Sequence, residues 1–190
     1  MNEFASPELA AWQSFYVMVG TSGAALIGIQ FVVIVLVANL RQRPTAESIS
    51  AFGTPTVVHL VSTLLVSAIM GVPWRSLLPM SITLAACGFS GLIYSVFVIS
   101  RARRQTYYKP EWGDWLWYAL LPCSIYAVLA VAALFPKTGS PISMFVIGAA
   151  ALGLLLIGIH NAWDTVTHIV VKSDETPDQQ TTSHDLHHIQ

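Results

Sequence analysis

The residues best equipped for chemistry lie in one stretch, Gly158-Ile-His160-Asn161-Ala-Trp163-Asp164-Thr165-Val-Thr167-His168. His160, Asp164 and His168 recur every four residues, so on a helix they share one face. His160 and Asp164 would then be close enough to share a proton or to form half of a metal site. An imidazole suits a transition metal and a carboxylate can complete the set. His168 stands two turns from His160, roughly 12 Å along the axis, so the three cannot close on one ion.

Two further polar groups interrupt apolar surroundings: Gln30 in Gly28-Ile29-Gln30, and His59 in Pro55-Thr-Val-Val-His59. Ionisable groups at membrane depth are expensive and tend to mark function. The expected polar locus therefore comprises His59, His160, Asp164, Gln30, Asn161 and His168, with His160 and Asp164 as the candidate metal ligands. Trp163 argues for a plainer alternative, in which the membrane surface lies here and Asp164 and His168 are simply hydrated.

These groups need elements to carry them, and the composition indicates which. Of 190 residues 54% are apolar and 10% charged, too little charge to coat a water-soluble globule. The charge balance also lacks the basic clustering that nucleic acid calls for. Crossing roughly 30 Å of hydrocarbon takes about 20 helical residues. Five continuously apolar runs reach that length, at about 15–40, 51–72, 77–100, 115–135 and 141–171. None shows the period-two alternation of an outer-membrane barrel. The expected fold is an all-helical membrane bundle of about five spans forming one domain over 1–171. A mobile, polar cytoplasmic tail is expected over 172–190. The first eleven residues hold two Glu and no Lys or Arg, unlike the basic start of a signal peptide.

Placing the N-terminus outside puts Arg41, Arg43, Arg101, Arg103, Arg104, Lys109 and Lys172 in the cytoplasm, and only Arg75 and Lys137 outside. That satisfies the positive-inside rule in every loop and predicts a multi-pass protein of a bacterial-type inner membrane with a cytoplasmic C-terminus. Small residues four apart predict close helix packing along Gly20, Ala24 and Gly28, along Cys87, Gly91 and Ser95, and at Ala149 and Gly153. Pro122 should kink the fourth span.

No P-loop, G-x-G-x-x-G, H-E-x-x-H or G-x-S-x-G motif is present, and no segment outside the spans is long enough for a catalytic domain. An enzyme is not expected. The first expectation is a homo-oligomer in the lipid bilayer that binds or passes an ion or proton. The second is an accessory or scaffold subunit bound to another membrane protein. The third is a metal- or haem-binding redox protein using His59 and His160. A cofactor is not required by the first two.

Overall fold

The computed structural model describes residues 7–39, 54–104, 112–134 and 140–187. Among these every regular element is a helix: α1 (Pro7–Asn39), α2 (Thr54–Gly71), α3 (Leu77–Arg104), α4 (Trp112–Trp115), a π-helical turn (Leu116–Leu120), α5 (Leu121–Leu134) and α6 (Pro141–His187). Five stretches are long and apolar enough to cross a membrane: Ala10–Leu36, Thr54–Gly71, Leu77–Arg101, Leu116–Leu134 and Pro141–Thr167. These lie within a few residues of the expected runs. One difference is the length of the last helix, whose backbone continues to His187, through most of the stretch read as a tail. A helix already nucleated adds one hydrogen bond per residue whether its side chains are apolar or polar, except at Pro177, which donates none.

The helix ends follow from local chemistry. Pro7 and Pro141 open α1 and α6, where a missing N–H costs nothing. Ser140 caps α6, its hydroxyl accepting from the Ser143 N–H at 3.3 Å and its carbonyl from the Met144 N–H at 3.0 Å. Beyond α2, Pro73 bars continuation, and the Trp74 indole N–H donates to the Ile69 carbonyl at 2.7 Å, satisfying one of the acceptors a helix end leaves over.

Helices α2 and α6 pack on each other at the centre. Helix α1 lies against both, while α5 joins α6 to α3, which also touches α2. Contacts are close at several glycines. A Cβ at Gly158 of α6 would lie 2.5 Å from Leu60 Cδ2 of α2. At Gly20 of α1 it would lie 2.9 Å from Ser67 Cβ of α2, and at Gly88 of α3 2.7 Å from the Ala130 backbone nitrogen of α5. The core between them is built from Tyr16, Leu60, Leu84, Leu129, Met144 and Ala151, among others.

The expected small-residue series divide. Gly20 meets α2, but Gly28 has nothing within 4 Å of a Cβ position and Ala24 is exposed. Gly23 takes their place against α2, 3.4 Å from the Leu60 carbonyl. Cys87, Gly91 and Ser95 are all buried. Gly153 faces Ile125 of α5 at 2.7 Å, while Ala149 is exposed.

The kink expected at Pro122 takes the form of the π turn. Proline donates no N–H and its ring clashes with the carbonyl four residues back. Widening the preceding turn relieves that clash, and the Leu121 N–H reaches the Leu116 carbonyl five residues earlier.

Candidate functional site

Four of the buried polar residues recur along α2: Thr56, His59, Thr63 and Ser67. Their spacing of three to four residues gives one buried polar seam along the helix. Thr63 Oγ1 is 3.0 Å from the His59 carbonyl one turn back and 3.4 Å from the Ala151 carbonyl of α6, so the seam is stitched to the centre of the fold.

His59 turns from this seam toward α5. Its Nδ1 is 3.1 Å from the Tyr126 hydroxyl. Tyr126 donates to Ser62 Oγ at 2.8 Å, and Ser62 donates to the Val58 carbonyl at 2.8 Å. With Tyr126 donating onward, its oxygen accepts from His59, which assigns the ring proton to Nδ1 and leaves Nε2 as an acceptor. Tyr126 is fully buried and His59 is 2% exposed. Room for the tyrosine ring comes from Gly91 of α3, where a Cβ would occupy the place of ring carbons Cγ, Cδ1 and Cε1. Imidazole, phenol and hydroxyl each donate and accept, so the His59–Tyr126 and Tyr126–Ser62 bonds can reverse to pass a proton, while the Val58 carbonyl only accepts and ends the row.

A second cluster lies on the other side of α6. The His160 ring stacks on Trp117, centroids 3.7 Å apart at 17°, and Tyr118 donates to Asp164 Oδ2 at 3.1 Å. Both partners belong to the π turn, so the distortion at Pro122 presents adjacent aromatics to residues four apart on α6. Asp164 and Trp163 are exposed, and His160 is half-buried.

The expected locus is therefore distributed. Among the described residues no hydrogen bond joins His59, His160 and Asp164, and no group of three His, Cys, Asp or Glu comes together as a metal shell. His160 and Asp164 have separate partners on the π turn. Gln30 is buried on α1, 5% exposed. The side chain of His168 lies outside the described residues. Asn161 is wholly buried, and among the described residues neither its Oδ1 nor its Nδ2 has a hydrogen-bond partner.

Ser62, Thr63, Tyr118 and Tyr126 were not singled out by the sequence reading. The signal for Tyr126 is a lone hydroxylated aromatic at the middle of an apolar run. The α2 seam is visible as the 56-59-63-67 spacing. No protein-family model, curated protein or solved structure matches the chain.

Proposed function

We propose that this chain is a multi-pass membrane protein, N-terminus outside and C-terminus in the cytoplasm of a bacterial-type inner membrane, that passes protons along a polar path at the α2–α5–α6 junction. The observation that carries the reading is the row His59, Tyr126, Ser62, with bonds of 3.1 and 2.8 Å, which Ser62 anchors on the Val58 carbonyl at 2.8 Å. Buried polar rows are retained in apolar helices at a cost in stability. The Tyr118–Asp164 pair, being exposed, suits the cytoplasmic mouth, and Trp163 beside it suits the interface.

Membrane insertion is supported by what the helices present outward: Ile142 is 78% exposed, Ile93 72%, Leu78 68% and Phe145 66%. A water-soluble protein rarely exposes so continuous an apolar surface. Assembly of several copies is supported by α1, whose Thr21, Ala24 and Gly28 face away from its own chain. Small residues at this spacing let two membrane helices approach closely.

The test is proton flux into proteoliposomes holding the purified protein alone, driven by a potassium diffusion potential and read with an entrapped pH dye. Flux above that of empty vesicles, lost in His160→Ala and Asp164→Ala variants that still fold, is expected. Absence of flux, with another membrane protein co-purifying, would replace this reading by that of an accessory subunit.

A further inference from the structure

Asn161 is 0% exposed, and both ends of its carboxamide lack a partner among the described residues. A buried amide is ordinarily paired, and in hydrocarbon no solvent supplies the deficit. Its position is set by neighbours on the same helix. Gly158 packs on Leu60 of α2, and Asp164 accepts from Tyr118 of the π turn. Asn161 is three residues from each. At about 100° per residue it lies about 60° round the helix from both, in opposite senses. Its side chain therefore points into the seam between α2 and the π turn.

Register places two other groups at that level. With Leu60 against Gly158 in the antiparallel α2–α6 pair, Asn161 stands about 1.5 Å along the axis from Thr56 and about 3 Å from His59, at the helical rise per residue. Among the described residues no hydrogen bond reaches Nε2 of His59, and the direction of the Tyr126–Ser62 bond makes that nitrogen an acceptor. On the opposite wall, Leu121 N–H is given to the Leu116 carbonyl and Pro122 has none, so the Trp117 carbonyl has no helical donor.

The chemistry of these groups selects the occupant. An anion would satisfy Nδ2 but not Oδ1, the Trp117 carbonyl or Nε2. A metal cation would satisfy the acceptors and be repelled by the amide N–H. A molecule that both donates and accepts suits all of them, and a space between packed helices suits a small one. We infer that Asn161 holds internal water between α2, α6 and the π turn, which donates to His59 Nε2 and continues the relay toward Tyr118 and Asp164. The assignment of this water to the proton path rests on the function proposed above; its presence does not.

Water-edited solid-state NMR of the full chain in lipid bilayers, with ¹⁵N-labelled asparagine and ¹³C-labelled alanine and leucine, reads it directly. Only three asparagines are present, and the signal lost in Asn161→Leu identifies the one in question. Polarisation from water should reach the Asn161 amide at mixing times when Ala151 and Leu154, both 0% exposed, remain dark. An amide as dark as those two overturns the inference, whatever the flux assay gives. A hydrated amide in a protein that moves no protons upholds the site and removes the proton path instead.

Discussion

Replacing Tyr126 by phenylalanine deletes one oxygen and leaves the ring in its slot over Gly91, because the glycine faces only ring carbons. Two bonds go: His59 Nδ1 to the hydroxyl at 3.1 Å and the hydroxyl to Ser62 at 2.8 Å. Ser62 keeps its bond to the Val58 carbonyl, so its loss is small. His59 has no second partner among the described residues and is 2% exposed. Hydrogen bonds between membrane helices average about 0.6 kcal/mol, while stranding a buried donor costs about 1–3 kcal/mol. The sum is about 2 kcal/mol, a roughly 30-fold shift in the folding equilibrium. Steric-trapping or denaturant unfolding of Tyr126→Phe in bicelles measures it, and proton flux should fall in the same variant. A stability within a few tenths of a kcal/mol of the parent, together with unchanged flux, would refute the idea that this row is paired and used.

Three other outcomes follow from the packing. Gly88→Ala should destabilise by about 1–3 kcal/mol, because the new Cβ meets the Ala130 backbone at 2.7–2.9 Å and backbone cannot swing aside; unfolding in bicelles reads this. Gly28→Ile should leave monomer stability unchanged, since nothing lies within 4 Å, yet shift native mass spectra from oligomer to monomer if the outward face of α1 joins copies. Pro122→Ala should let the turn close as α-helix, rotating Trp117 and Tyr118 by about 100° relative to α5. The Asp164 carboxyl carbon resonance, which Tyr118→Phe should move in the parent, should then no longer respond to it.

The spans were legible because length and apolar composition alone determine what can cross hydrocarbon, and both are local properties. The start of the last helix at Pro141 was legible in the same way, whereas the first helix begins at Pro7, ahead of the run read from about 15. Packing faces were only partly so. A step of four residues advances about 400°, so a series such as Gly20, Ala24, Gly28 drifts about 40° per step around the helix. By Gly28 it has rotated about 80° from Gly20, whereas Gly23, one step of three, turns about 60° the other way and stays in contact with α2. A spacing of four repeated twice thus reads as one face when it is a spiral, and its far end serves a neighbour outside the chain or none.

The polar residues show the same division. His59 and Asn161 stand out in any apolar run, but their roles depend on what lies opposite, and that is a matter of register between helices distant in sequence. His59 meets Tyr126 because Gly91 of a third helix leaves space for the ring. His160 and Asp164 face one wall, as their spacing implies, yet what they meet there is a π turn created by Pro122. One proline thus does two things: it widens the turn before it, and it brings Trp117 and Tyr118 to α6. A kink is readable from a single residue. The polar seam that results requires two helices, each supplying what the other lacks.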